Sequence, residues 1–262
     1  MIAIVKYKTL RFFEMIGEFL RLIGDVSAAT CRKPPSWVLI REQLFHLGVM
    51  SLSVVAITGF TTGFVLAAQS FYQLGAKGLS GVTGVLVAKS MITELGPILT
   101  GFMVTGRVGA SMCAELGTMK VTEQIDALKS MAVNPNAYLI APRFIAGIFM
   151  IPLLTLFSIV MGIFGGYLIA VFYFHLPPLS YFQPMKLHII PFDFATGMIK
   201  SFVFSILIVA VCCYKGLRTS GGAAGVGKAT TQSVVTSYVL ILIFDFFLTM
   251  FLNMIHMKIR HL

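Results

Sequence analysis

Long apolar segments alternate with polar ones along the chain, and five of them are apolar enough to form membrane-crossing helices. A helix rises about 1.5 Å per residue, so about 20 apolar residues cross a hydrocarbon core of about 30 Å. The pattern predicts an all-α polytopic membrane protein with five transmembrane helices. The predicted spans are Leu44–Ala68, Leu79–Gly106, Phe144–Phe174, Ala195–Tyr214 and Val234–Met257.

Residues 1–43 have a different pattern, in which apolar positions recur near helical spacing with basic residues between them. Such a segment is typical of an amphipathic helix that lies in the headgroup layer of a membrane. Pro34 and Pro35 end it, and Trp37 follows as a candidate interfacial anchor. The sequence therefore predicts an N-terminal interfacial helix ahead of a membrane domain, residues 44–262.

The composition agrees with this class, because 57% of the 262 residues are hydrophobic and only 11% are charged. So few charges exclude a soluble globular enzyme, a disordered chain and a disulfide scaffold. The net charge of +10 comes from Lys and Arg residues that stand mostly between the spans. No basic face with interleaved aromatic residues is present, so we expect no nucleic-acid partner.

The distribution of Lys and Arg also predicts the topology. Fourteen of the 20 fall in residues 1–43, 107–143 and 215–228, whereas five, Lys200 among them, fall on the opposite side. The positive-inside rule then places the N-terminus in the cytoplasm and the C-terminus outside.

Besides Lys200, which stands near the start of its span and is counted with the outer side, three charged residues lie inside predicted spans: Lys89, Glu94 and Asp245. An ionised group in hydrocarbon is costly unless it faces protein or water, so such residues are candidates for a substrate path. Gly96-Pro97 should open the helix beside Glu94, because proline lacks the backbone donor. Glu94 could equally brace that opening through hydrogen bonds, and Asp245 could form a structural contact between helices.

A polar stretch between the second and third spans has an apolar stripe near helical period. It is too short and too polar to cross a membrane, so the sequence predicts one amphipathic cytoplasmic helix at about Glu115–Ala132. This helix is either a plain surface helix or a docking helix for a soluble partner.

Several other patterns have simpler interpretations. The sequence from Gly222 to Ala229 nearly matches a phosphate-binding loop but ends in alanine, so we expect a basic turn, with Thr230 or Thr231 capping the last helix. His175–Phe194 is expected to be a proline-rich loop. The spacings Gly59-xxx-Gly63 and Gly162-xxx-Gly166 favour packing within the monomer over a dimer seam. No HExxH, GxSxG or CxxC motif is present, so we predict neither an enzyme nor a metal site.

The run from Glu94 to Arg143 is specific enough to suggest a family. It reads ELGPILTGFMVTGRVGASMCAELGTMKVTEQIDALKSMAVNPNAYLIAPR. This run resembles the signature of MlaE/YrbE-family permeases, the membrane subunits of ABC lipid transporters that work with MCE-domain proteins. The likeness continues through Phe149–Gly166, Lys200–Phe204 and residues 227–249, so it covers nearly the whole chain from about Leu44.

The resemblance implies a homodimeric permease of the bacterial inner membrane that moves phospholipid or a related lipid. The expected partners are a second copy of the chain, a cytoplasmic ABC ATPase that binds ATP and Mg²⁺, a periplasmic MCE-domain protein and membrane lipid, with an accessory cytoplasmic subunit as a further candidate. This chain itself should hold no cofactor. The residue before the signature glutamate is basic in some members and is Thr93 here.

The resemblance and the residue pattern together give two sets of candidate site residues. The candidates for the substrate path are Glu94, Lys89, Thr93, Pro97 and Asp245. The candidates for coupling to the ATPase are Glu115, Leu116, Gly117, Met119, Thr122, Glu123 and Asp126. Two other classes stay open: an ion-coupled secondary carrier that uses Glu94 and Asp245, and a membrane scaffold that anchors partners without transport.

Overall fold

The computed structural model describes residues 35–75 and 78–260, and in the segment before them only Gly17, Arg21, residues 24–26 and Ala28. The predicted interfacial helix of residues 1–43 therefore lies mostly outside the described residues. Within the described part, Val26 packs against Leu116 and its neighbours, so the chain before the first span meets the end of the second.

Helices make up nearly all of the described chain, and five are long and apolar enough to cross a membrane. This confirms the predicted all-α, five-span class. The five long helices are α1 (Trp37–Gly75), α2 (Ser80–Val121), α4 (Asn136–Tyr173), α6 (Pro191–Leu217) and α7 (Gly222–Arg260). Two shorter helices connect them, α3 (Gln124–Ser130) and α5 (Pro178–His188).

Small residues bring α1 and α4 into backbone contact. A methyl group added at Gly63 would lie 1.8 Å from the carbonyl oxygen of Gly162, and one at Gly59 would lie 2.6 Å from that of Ser158. Lipid tails are as apolar as the helix surfaces, so close van der Waals packing of this kind is what holds spans together. The two glycine motifs therefore pack against each other within one chain, as predicted.

The centre of the bundle is α6, which contacts α2, α4 and α7. Its inner face carries Phe204, Ile208 and Cys212, all fully buried in the main apolar cluster. In contrast, α7 leaves a continuous apolar face uncovered, which includes Phe246, Phe247, Met250 and Phe251. The arrangement fixes α6 between α2 and α7 and leaves α7 open to lipid or protein.

The prediction of one continuous helix at Glu115–Ala132 is wrong, because the helix is interrupted at Glu123. The second span runs on as helix through Val121, and Glu123 then takes a left-handed conformation with φ 61° before α3 begins. A left-handed residue cannot continue a right-handed helix, so the chain turns sharply there. The stretch is thus the end of α2 joined to a short separate helix.

Two other local predictions are corrected. The proline-rich segment His175–Phe194 was predicted to be a loop but contains the helix α5. Pro178 is compatible with this helix, since it stands in the first turn, where the missing N–H would have no partner within the helix. The glycines of the apparent phosphate loop lie in the first helical turns of α7 and do not form the predicted loop. Thr230 and Thr231 donate to backbone carbonyls of the preceding turn, so neither caps the helix.

Candidate functional site: an ion network among three spans

The ammonium group of Lys200 lies fully buried between three transmembrane helices, with 0% of its side chain exposed. It donates hydrogen bonds to Oε2 of Glu94 on α2 and, at 2.7 Å, to Oγ1 of Thr249 on α7. Oδ1 of Asp245, also on α7, lies 3.0 Å from the same nitrogen. One cation therefore links α2, α6 and α7 inside the membrane domain. The assignment of Lys200 to the outer side by the count of basic residues is thus corrected, since its side chain is buried between helices.

Close backbone contact positions Lys200 against Glu94. A methyl group at Gly197, nearly one turn before Lys200, would lie 2.1 Å from the carbonyl oxygen of Ile92, so α6 touches the backbone of α2 at this level. Glu94 itself lies in a π-helical turn, Met91–Leu95. Such a turn holds an extra residue and accommodates Pro97, so the helix stays continuous where the sequence predicted an opening.

The network carries unequal charge, because two carboxylates share one ammonium. With all three groups ionised, the cluster is a net anion. Thr249 Oγ1 also lies 3.3 Å from Oε1 of Glu94 and 2.8 Å from the backbone carbonyl oxygen of Asp245, one turn earlier on α7, so the hydroxyl links the Glu94 carboxyl group to the backbone of α7. Buried charges persist when they are paired, and Lys200 pairs with carboxylates from two other helices. Asp245 takes part through the ion pair alone, because its Oδ1 accepts no hydrogen bond from the described residues.

A cavity of about 500 Å³ opens from one side of this network. The Glu94 side chain is 35% exposed, so it belongs both to the buried network and to the cavity wall. At the mouth, Lys89 lies 3.6 Å from Asp193 of α6 and not beside Glu94. A second cavity of about 620 Å³ shares Lys89, Phe192 and His256 with the first. The other residues that line the first cavity are Thr93, Thr196, Thr249, Asn253 and Met257.

A cavity wall that combines a buried ion network with a long apolar surround is the arrangement expected of a transporter for amphiphiles. The family model described as Permease MlaE matches residues 40–251. The chain belongs to the MlaE permease family.

Relatives of known name agree with this membership. A probable ABC transporter permease protein of Rickettsia felis is 40% identical over 243 residues, 92% of this chain and 93% of the relative. The intermembrane phospholipid transport system permease protein MlaE of Haemophilus influenzae is 34% identical over 241 residues, 91% of this chain and 92% of the relative. Protein TRIGALACTOSYLDIACYLGLYCEROL 1, chloroplastic, of Arabidopsis thaliana is 36% identical over 230 residues, 88% of this chain and 66% of the relative.

In this MlaE-family chain, the structure brings together four of the five residues predicted for a substrate path. Glu94 and Asp245 meet at Lys200, while Lys89 and Thr93 line the adjoining cavity. Pro97 is buried against the Gly197 backbone and does not line the cavity. Sequence reasoning missed Lys200 and Thr249. The available signal was that Lys200 is the only charged residue in its predicted span, but the sequence did not show its pairing with acidic residues of other spans.

The residues predicted for coupling lie at the opposite end of α2. Leu116 and Gly117 are buried in the bundle, so they support the end of the helix and cannot touch a partner directly. Glu115 pairs at 3.0 Å with Arg143 of α4, whose side chain is only 6% exposed. Arg143 is therefore a structural partner of α2 as well as a basic residue near the membrane surface. The remaining coupling candidates are Met119, which is half-buried, and Thr122, Glu123 and Asp126, which are exposed.

Asp126 fastens α3 to the end of α2. Its carboxylate accepts hydrogen bonds from Lys120 at 2.8 Å and from Lys129 at 2.9 Å. These bonds hold the pKa of the Asp126 carboxyl below its ordinary value. The link is therefore intact at neutral pH and is lost only as the pH falls through that lowered pKa.

Proposed function

We propose that this chain is the membrane subunit of an ABC transporter that moves phospholipid, with the cavity beside Lys200, Glu94 and Asp245 as the headgroup site. The observation that carries the proposal is this network of one ammonium and two carboxyl groups, which opens through Glu94 into a cavity of about 500 Å³ within apolar spans. Family membership and the name of the Haemophilus influenzae relative, a phospholipid transport permease, support the substrate class.

The lining suits both parts of a phospholipid. The exposed edge of Glu94 offers a carboxylate to a polar headgroup, and the Thr93 hydroxyl, which donates to the carbonyl oxygen of Lys89, offers an oxygen acceptor. Lys89 and Asp193 offer a charge of each sign at the mouth. Acyl chains need only apolar, deformable surface, and Met257 together with the outer face of α7 supplies it. The apolar face of α7 is also where a second copy of the chain would complete the enclosure.

The partners follow from the two ends of the bundle. In the predicted orientation, α3 faces the cytoplasm, where a separate ATPase would bind ATP and Mg²⁺ and dock on α3. The end that carries α5 faces the periplasm, where an MCE-domain protein would exchange lipid with the cavity. Force from the ATPase would travel along α2, since that one helix carries the end that meets α3, Glu115 and Glu94.

Replacing Glu94 with glutamine should lower lipid contact in the cavity while the protein stays folded. The amide keeps the shape and leaves Lys200 paired with Asp245, but it removes a charged acceptor whose hydrogen bonds contribute about 1.5–3 kcal/mol each. We expect crosslinking of phospholipid to a photoreactive residue at Asn253 to fall by about tenfold or more.

Thr61→Val is the matched control, because the Thr61 hydroxyl is exposed on α1 and bonds to carbonyls of its own helix. This variant should leave crosslinking unchanged. Undiminished crosslinking in Glu94→Gln would contradict the headgroup assignment. Lipid-independent transport that follows the membrane potential without ATP would instead support a secondary carrier.

The joint substitution Glu123→Arg with Asp126→Arg should abolish docking of the ATPase. Both side chains are exposed at the tip of the α2–α3 turn, and the Asp126 change also removes the bonds from Lys120 and Lys129. We expect affinity purification of the tagged chain from native membranes to recover at least about tenfold less ATPase, by analogy with charge reversal at an interface.

The control for this experiment is Gln183→Arg, an exposed position on α5 at the other end of the bundle. It should leave ATPase recovery at the level of the unmodified chain. Full recovery with the double variant would mean that the ATPase docks elsewhere, and recovery of no ATPase with the unmodified chain would favour the scaffold or carrier.

A further inference from the structure

A separate cavity of about 470 Å³ lies at the end of the bundle that carries α3, between α1, α2 and α4. None of its lining residues belongs to the cavity beside Lys200. Its walls mix charged and polar groups with apolar ones, and the proposed transport path does not use it. The charged residues that line it are Glu42, Arg107, Glu115 and Arg143.

The cavity lies at a definite depth along the spans. On α1 no charged residue follows Glu42 before Gly75, and on α4 Arg143 is the only charged residue. On α2 no charge separates Glu94 from Arg107. The lining charges therefore mark, on three helices at once, where the uncharged stretch begins. In a bilayer this boundary is the level of the lipid headgroups.

Two of the four charges are paired with each other, and two are unpaired within the described residues. Glu115 accepts from Ser111 at 3.1 Å and pairs with Arg143, which also donates to the carbonyl oxygen of Leu139. By contrast, the side chains of Glu42 and Arg107 have no hydrogen bond or ion pair within the described part of the chain, and both residues are exposed. The cavity thus offers one free carboxylate and one free guanidinium.

We propose that this cavity binds the headgroup of a zwitterionic membrane phospholipid, with Arg107 on the phosphate and Glu42 on the ammonium. A guanidinium forms paired hydrogen bonds with phosphate oxygens, and a carboxylate is the natural partner of a primary amine. The apolar part of the wall, which includes Met50 and Met112, faces the first segment of an acyl chain. A lipid bound here touches α1, α2 and α4 together beside the Glu115–Arg143 pair.

Site-specific photocrosslinking tests this proposal. A photoreactive residue replaces Met50 in the cavity wall, and the protein is reconstituted in vesicles of equal phosphatidylethanolamine and phosphatidylglycerol. We expect the crosslinked lipid to be mainly phosphatidylethanolamine. Arg107→Gln should lower total lipid crosslinking about tenfold, and Glu42→Gln should abolish the preference for phosphatidylethanolamine, because the second lipid has no amine.

Two controls separate this site from the rest of the protein. Lys228→Gln removes an exposed cation at the same end but outside the cavity and should change nothing. A photoreactive residue at Asn253 reports on the other cavity, so its crosslinking should be unaffected by Arg107→Gln or Glu42→Gln. Failure of the proposed transport function would alter the Asn253 signal and leave the Met50 signal intact.

The remaining outcomes would overturn the proposal. Equal labelling of the two lipids, or labelling that both variants leave unchanged, would mean that the cavity does not bind the headgroup selectively. A crosslink from position 50 to the polypeptide would mean that protein fills the cavity. Loss of lipid labelling at glycerophosphoethanolamine concentrations far below that of the vesicle lipid would identify a soluble phosphate ester, and not a membrane lipid, as the ligand.

Discussion

Replacing Lys200 with methionine should destabilise the protein more than any other single change in the network. The methionine fills a similar volume, but Glu94 and Asp245 would then face each other without the cation that now lies between them. Removing one partner of a buried ion pair costs about 3–5 kcal/mol, because it leaves an uncompensated charge. We expect a lower unfolding temperature in detergent and loss of the monodisperse species on size exclusion.

A triple variant separates stability from transport. Lys200→Met combined with Glu94→Gln and Asp245→Asn removes all three charges, so most of the lost stability should return. Lipid crosslinking at Asn253 should nevertheless stay low, because the headgroup site is gone. Lys186→Met, at an exposed position on α5, is the control and should be neutral. A Lys200→Met protein as stable as the unmodified chain would show that the network does not hold the spans together.

Adding a single methyl group at Gly63 should separate α1 from α4. The new carbon would lie 1.8 Å from the backbone oxygen of Gly162, and neither backbone can move without shifting a whole helix. Overpacking a well-filled site costs about 1–3 kcal/mol and more where backbone is struck, so we expect Gly63→Ala to lose about 3 kcal/mol or more. The measurement is the midpoint of thermal unfolding in a fixed detergent.

The partner glycine provides an internal comparison. A methyl group at Gly162 would meet the side chain of Met91, with its terminal carbon at 2.3 Å, and a methionine side chain can change rotamer. Gly162→Ala should therefore cost less than Gly63→Ala. Gly227→Ala on α7 meets nothing within 4 Å and should be neutral or slightly stabilising. Equal effects at Gly63 and Gly227 would refute the backbone contact.

The spans could be predicted because the bilayer leaves few alternatives. Without water, each backbone polar group must bond within its own segment, so a long apolar run is a helix. The same argument fails at the α2–α3 junction. Glutamate is a good helix former, so the residue type at position 123 does not predict the left-handed conformation that the structure shows there.

The candidate site was only half predictable. Glu94 and Asp245 were found because a charge inside an apolar run is conspicuous. Lys200 stands near the start of its span, where lysines commonly extend to the membrane surface, so its position alone indicated topology. Its bond to Glu94 joins residues 106 positions apart, a pairing that no local pattern in a single sequence contains.

The π-helical turns of α2 have a consequence for how motion travels along it. One such turn, Met91–Leu95, holds Glu94, and another, Thr105–Gly109, stands between Glu94 and the end that carries α3. Each turn holds one residue in excess of α geometry, and one residue corresponds to about 100° of rotation about the helix axis. Converting the second turn to α geometry would therefore rotate the cavity end relative to the α3 end without breaking the helix. Such a conversion would change the direction in which Glu94 faces the cavity while α2 stays continuous.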